Sequence, residues 1–159
     1  MTFTRLAAMA DSAAIAAIYN EGIEDRIATF ETRLRCAPDI EKWFDGVHPV
    51  IVVEEEGTVI AFASTSLYRP RDCYAGIAEC SVYVSRAARG RRAGAIALEA
   101  LFHAARERGF HKLVSRVFPE NKPSLKLLDR MGWRQVGVYQ RHGKLDGVWK
   151  DVVIVEKLL

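Results

Sequence analysis

The chain has 159 residues, half of them apolar, which suits one compact domain spanning residues 1–159. Its 23 basic and 20 acidic residues leave a formal charge of +3, too small and dispersed for a nucleic-acid surface or an electrostatic membrane anchor. Three cysteines, Cys36, Cys73 and Cys80, lack CxxC spacing and nearby histidines, so the sequence predicts neither a disulfide framework nor a metal site, and suits a reducing cytoplasm. No apolar stretch is long enough to span a bilayer, and Asp11 and Glu21 interrupt the N-terminal apolar run, against a signal peptide.

A first strand is expected at the N-terminus. Between Asp11 and Glu24, Ile15, Ile18, Tyr19 and Ile23 recur at helical spacing, with Asp11 or Ser12 as the cap. A second, shorter helix is predicted over Pro38–Asp45, with Pro38 in the first turn and Ile40, Trp43 and Phe44 on one side. From Val50 the pattern turns to β-branched runs, Val50–Val53 and Val59–Phe62, separated by a Glu-Glu-Gly turn, which reads as a hairpin. A further strand covers Ile77 to Val84. Its period of two puts Glu79, Ser81 and Tyr83 on one face and Ala78, Cys80, Val82 and Val84 on the other.

The Arg- and Gly-rich turn Arg89-Gly90-Arg91-Arg92-Ala93-Gly94 follows, then a helix carrying Leu98, Leu101, Phe102 and Ala105 on one face and ending at Gly109. Strand, glycine-bearing turn and helix together present backbone N–H groups to a phosphate. Leu113–Phe118 reads as a strand, Asn121–Met131 as a short helix stopped by Gly132, and Trp133–Arg141 and Val148–Leu158 as two closing strands. The order β-α-α-β-β-β-α-β-α-β-β defines an α/β fold, a mixed sheet flanked by helices.

The segments SVYVSRAARGRRAG, PENKPSLKLLDRMGW and KDVVIVEK resemble the GCN5-related N-acetyltransferase (GNAT) superfamily over nearly the whole chain, and IYNEGIEDRIATFET and YRPRDCYAGIAECSVYV are similar to its phosphinothricin and arsinothricin N-acetyltransferase group. The resemblance implies a splayed central sheet, acetyl-CoA as cosubstrate and a homodimer. It implies that the exposed edge Val82, Tyr83 and Val84 pairs with the pantetheine arm, and that Arg89, Gly90, Arg91, Arg92, Ala93, Gly94 and the following Ala95 form the pyrophosphate turn. Arg92 stands where the family usually has glycine. Asn121 and Ser124 correspond to residues near the pantetheine and the sulfur; read alone, Asn121 is an N-cap, and the Arg-rich turn a solvated loop.

Acetyl transfer to a primary amine needs a group to take the amine proton. Burial disfavours a carboxylate's charged form, and half-buried Glu79 matches the family's proposed general base; read from pattern alone it is equally a structural carboxylate paired with an arginine. Where the family often has a tyrosine as general acid this chain has Leu128, and where some members have a catalytic histidine it has Asp146, so neither role is carried over. His48, His103, His111 and His142 show no partner spacing and read as structural or surface residues.

The resemblance further implies a glutamate-like acceptor, such as phosphinothricin, arsinothricin or methionine sulfoximine, acetylated on its α-amine as a means of resistance. Arg69, Arg71 and Tyr74 are expected to grip its anionic groups, and Phe30 to line its pocket. Without that resemblance the two arginines belong to a solvated turn around Pro70 and Phe30 to the core. Alternatives are an acetyltransferase for another small amine or a protein N-terminus, and a non-catalytic acetyl-CoA-binding sensor.

Overall fold

A computed structural model describes all residues from Met1 to Leu159. Seven strands form one sheet: β1 (Thr2–Leu6), β2 (Val50–Glu55), β3 (Thr58–Leu67), β4 (Ile77–Val84), β5 (Lys112–Val117), β6 (Arg134–Leu145) and β7 (Val148–Leu158). Four helices accompany them: α1 (Ser12–Asp25), α2 (Ala37–Glu41), α3 (Ala93–Glu107) and α4 (Lys122–Arg130). The sheet order is β1-β2-β3-β4-β5-β7-β6, and every neighbouring pair is antiparallel except β4 with β5. The chain order of helices and strands is the one the sequence predicts.

Helical periodicity places the helices on opposite faces. On α3, Leu98, Leu101, Phe102 and Ala105 are buried against Ile51, Val53, Ala61, Ala63, Ala78 and Leu113 of the sheet. On the other face Ile15 and Ile18 of α1 and Ile40 of α2 close over Val50, Val52 and Phe62. Helix α2 is shorter than predicted, ending at Glu41, and Trp43 and Phe44 pack from the turn that follows it. Strand β6 runs four residues beyond the predicted Arg141, carried by the long hairpin with β7.

What matters for function is where the sheet fails to close. Strand β4 pairs with β3 from Ala78 to Val84, but with β5 only from Ile77 to Glu79. The Ser115 hydroxyl then donates to the Cys80 carbonyl at 2.9 Å, and beyond it the two strands diverge. Ser85 N–H donates to Ile60 O on β3, so by strand alternation the N–H and C=O of Val82 and Val84 face the gap instead. An unpaired strand edge inside a protein is costly unless something else pairs with it. The gap is therefore built to take an extended polar chain.

Candidate active site

Two cavities of about 510 Å³ lie on either side of this divergence, joined by a narrow neck. The neck is lined by Ala28, Cys80, Ser81, Val82, Tyr83, Ser115, Arg116, Asn121, Ser124 and Leu128, and Ala28 and Tyr83 line all three spaces. Through it, a group held in one cavity can reach a group held in the other.

The first cavity is a cleft between the free edge of β4 and the start of α3 and α4. Its walls include Val82, Tyr83, Val84, Arg89, Gly90, Arg92, Ala93, Gly94, Ala95, Asn121 and Ser124, and the structure thus brings together these predicted cofactor residues. Arg91 is the exception. Its guanidinium turns away to Glu55 at 3.1 Å, where β2 ends. Arg92 adopts a left-handed backbone, φ +67°, at the N-cap of α3. That conformation suits glycine and costs a side-chain-bearing residue about 1–2 kcal/mol, which accounts for the glycine usual in related turns.

Free N–H groups at the start of α3 and the guanidiniums of Arg89, Arg92 and Arg130 give the cleft an anion-binding end. Its one carboxylate, Asp25, is neutralised. Burial alone would raise its pKa, but Arg86 at 2.9 Å and Arg89 at 2.8 Å hold it below the usual carboxylate value. Arg89 also donates from Nε to Val84 O at 3.3 Å, so it sits at the rim of the unpaired edge. Asn121 caps α4 by accepting from Ser124 N at 3.4 Å while lining the cleft.

The second cavity sits over the sheet face that carries α1 and α2. Ser64 and Ser66 of β3 stand opposite Ser81 and Glu79 of β4, and with Tyr83, whose partner Phe62 is buried beneath, they make the floor change from aromatic to polar along β4. Ser64 and Ser66 are not among the residues the sequence singles out, although the period of two puts them on the same face of the strand as Phe62. The walls are Tyr19, Trp43, Phe118 and Phe30. Tyr83 stacks on Phe62 with ring centroids 5.4 Å apart, and burial pushes its phenol pKa up, so it stays neutral. Burial likewise pushes the Cys80 thiol up to about 12, which leaves no thiolate at the neck to act as a nucleophile.

Phe30 reaches the cavity from the irregular segment between α1 and α2. Its ring packs edge-on against Phe118, centroids 4.7 Å apart, and over Gly143, where a Cβ would lie 2.8 Å from it. Arg26 Nε, 3.0 Å from Asp146 Oδ2, ties this segment to the β6–β7 turn, and Asn20 bonds both backbone groups of Arg35 at its far end. The residue aligned with the catalytic histidine of some relatives is therefore an ion-pair partner here. On β6 a bulge at Tyr139–Gly143, with Arg141 at φ +45°, presents His142 to the cavity, a position that no local sequence pattern announces.

Glu79 lies on the cavity floor, 30% exposed, with Arg116 Nη2 2.8 Å from its Oε1. It is thus a carboxylate paired with an arginine, as one reading of the sequence had it, and it lines the cavity. Leu128, at the family's usual tyrosine position, lines the neck and offers no proton. Arg69, Arg71 and Tyr74 do not reach either cavity. Strand β3 continues to Leu67, and the loop beyond it carries Arg69 over the Tyr68 ring at 5.1 Å and Arg71 over Tyr74 at 5.7 Å, in an exposed cluster past the Ser66–Glu79 rung.

A free strand edge leading from an anion-binding helix start to a neck, with a polar-floored cavity beyond, has the form an acyltransferase needs to take an extended phosphorylated thioester. Residues 15–133 match the family described as Acetyltransferase (GNAT) family, and the chain belongs to it. Among curated proteins it is 34% identical, over 98% of both chains, to YwnH of Bacillus subtilis (strain 168), provisionally named a phosphinothricin acetyltransferase. It is 31% identical, over 96% of this chain and 91% of the other, to the L-methionine sulfoximine/L-methionine sulfone acetyltransferase of Pseudomonas aeruginosa. Among solved structures it resembles a phosphinothricin acetyltransferase from Sinorhizobium meliloti in complex with acetyl-CoA (TM-score 0.91, 27% identity, 99% and 88% of the two chains). It also resembles a ribosomal-protein-alanine N-acetyltransferase from Brucella melitensis (TM-score 0.93, 32% identity, 99% of each). The protein is an acetyl-CoA-dependent N-acetyltransferase.

Proposed function

We propose that the protein acetylates the α-amine of a glutamate-like amino acid whose side chain ends in a phosphinate, arsinate or sulfoximine, and so confers resistance to such compounds. The observation that carries this reading is the second cavity, roofed by residues 28–31 and walled by aromatic rings, over a floor of Ser64, Ser66, Ser81 and Glu79. The names of the relatives in Bacillus, Pseudomonas and Sinorhizobium support it.

Acetyl-CoA, bound in the cleft, supplies an activated acyl carbonyl. The gap-facing N–H and C=O groups of Val82 and the N–H of Val84 hold its arm, and Arg89, Arg92 and the start of α3 hold its phosphates. On the acceptor side Glu79 takes the ammonium proton, directly or through water, a role worth about 10²- to 10⁴-fold in rate. Tyr83 and Cys80, both neutral, position without titrating. With Leu128 at the neck, the coenzyme leaves as its thiolate; a thiol of ordinary pKa near ~8.5 makes that step accessible without a general acid.

The exposed apolar residues of the β6–β7 hairpin, Val136, Val138, Tyr139, Val148 and Trp149, support a homodimer through this edge, to be checked by light scattering. No helix is long and apolar enough to cross a membrane, and the unpaired cysteines suit the cytoplasm. A protein N-terminus as acceptor is a second reading, favoured by the name of the Brucella structure. Thiol release from acetyl-CoA with phosphinothricin, arsinothricin, methionine sulfoximine, glutamate and an alanine-initiated peptide separates the readings. Turnover of the tetrahedral analogues above glutamate and peptide, lost in Glu79→Gln, supports the proposal; preference for the peptide overturns it.

A further inference from the structure

The acceptor cavity is lined by six ionisable side chains besides its tyrosines and Cys80: Glu31, Lys42, Asp45, Glu79, Arg116 and His142. Each carboxylate is already occupied by the protein. Glu31 pairs with Arg35 at 2.7 Å and Glu79 with Arg116 at 2.8 Å. Asp45 accepts from the N–H groups of Val47 and His48, both at 2.8 Å, and lies 2.5 Å from the His48 ring nitrogen. Lys42 alone among the fixed charges has no partner within the protein. Lys42 is thus the one cation of the lining whose donors are not engaged by a side chain of the protein, and the arginines of the β3–β4 loop do not reach the cavity.

Its position adds direction. Arg116 lines both the cavity and the neck, whereas Lys42 lines the cavity only, beside Trp43 and Asp45. An α-amino acid whose amine lies beside Glu79 on the cavity floor, facing the neck, has its carboxylate within the same few ångströms, where Arg116 presents N–H donors beyond the one directed at Glu79. The end of the side chain points away from the neck.

We infer that Lys42 is the specificity residue of the acceptor site, binding the anionic end of the substrate side chain while Arg116 receives the α-carboxylate. This rests on the amino-acid reading above and deepens it. The site would then favour a tail with a full negative charge over an isosteric neutral one, because only the anionic tail makes a charge-assisted hydrogen bond with the Lys42 ammonium.

Lys42→Met and Lys42→Arg are compared with wild type on two acceptors that share the amino-acid end, phosphinothricin with an anionic tail and methionine sulfone with a neutral one. Lys42 is exposed and unpartnered just after α2, so both variants fold, which melting curves verify. Loss of one charge-assisted hydrogen bond predicts that Lys42→Met lowers the preference for phosphinothricin, as a ratio of kcat/KM values, by about tenfold to a hundredfold, with Lys42→Arg restoring most of it. An equal loss on both acceptors, or none on phosphinothricin, overturns the inference. If wild type turns over neither, the amino-acid reading fails as an activity. Lys42 is then judged by phosphinothricin titration of the coenzyme-A-bound protein, with Trp43 fluorescence as the signal: saturable quenching absent in Lys42→Met supports the assignment, and quenching absent in wild type or equal in both overturns it.

Discussion

Replacing Gly143 by alanine tests whether Phe30 is a wall of the acceptor cavity. The added Cβ would lie 2.8 Å from Phe30 Cζ, 2.9 Å from Cε1 and 3.2 Å from Cε2. Carbon atoms rest at about 3.5–4.0 Å, so the ring must retreat by roughly 0.7 Å or more. The backbone is not the obstacle, because Gly143 does not have a positive φ. The obstruction is one side chain on an irregular segment, so the steric cost falls near the low end of the usual 1–3 kcal/mol for overpacking. Alanine also stiffens the unfolded chain, which offsets about 0.4–1 kcal/mol of that. Net stability therefore falls by about 1 kcal/mol or less in a denaturant titration. The kinetic effect is larger and one-sided. Displacing a wall on the ångström scale lowers kcat/KM for the amine by about 10- to 100-fold, while KM for acetyl-CoA stays close to wild type, since Phe30 does not line the cofactor cleft. A folded Gly143→Ala protein with unaltered acceptor kinetics would refute the assignment of Phe30 to the acceptor wall.

Arg92→Gly relieves the left-handed strain but loosens the unfolded chain, a net stabilisation of about 0.5–1 kcal/mol by thermal melting. The lost guanidinium raises KM for acetyl-CoA, and a fall in stability or an unmoved KM contradicts this picture. Ala28→Leu pushes a larger side chain into the neck, so kcat drops in steady-state assays with the fold intact; normal turnover would mean that the neck is not the route of transfer. At low pH, Asp45 is the informative group. Burial opposes its ionisation, but the N–H groups and ring of His48 and the N–H of Val47 outweigh that and hold the carboxyl at about 2, against an ordinary 3.8. A folded value below the unfolded one means that its stabilising contribution is complete above about pH 4 and is lost as pH falls toward 2. Asp45→Asn is therefore less stable at pH 7 and has a shallower acid limb between those values; an acid limb identical to wild type would remove Asp45 from the account.

What was legible in the sequence follows from periodicity. The period of two in Ile77–Val84 sent Glu79, Ser81 and Tyr83 to one face, and they form the cavity floor and neck. The turn at Arg89–Gly94 and the cap at Asn121 were legible because a strand-turn-helix pattern determines where backbone N–H groups point. What stayed hidden depends on non-local geometry. Arg116 is unremarkable on its strand until the β4–β5 register brings it beside Glu79. His142 enters through a bulge, and Lys42 through the place where α2 stops. Arg69 and Arg71 stand apart from the cavity because the length of β3, fixed by its pairing with β4, carries their loop past it. Arg91 was drawn out of its turn by a carboxylate on β2.

The central claim is that two cavities meet at a neck across which an acetyl group passes from the cofactor to an amine. A conjugate in which the coenzyme A sulfur is joined through an acetyl bridge to the α-nitrogen of phosphinothricin occupies both cavities at once, and its affinity can be measured by calorimetry against coenzyme A alone. The account predicts that the conjugate binds at least about a hundredfold more tightly, because the second contact is made at high effective concentration. A conjugate that binds no more tightly than coenzyme A would contradict it.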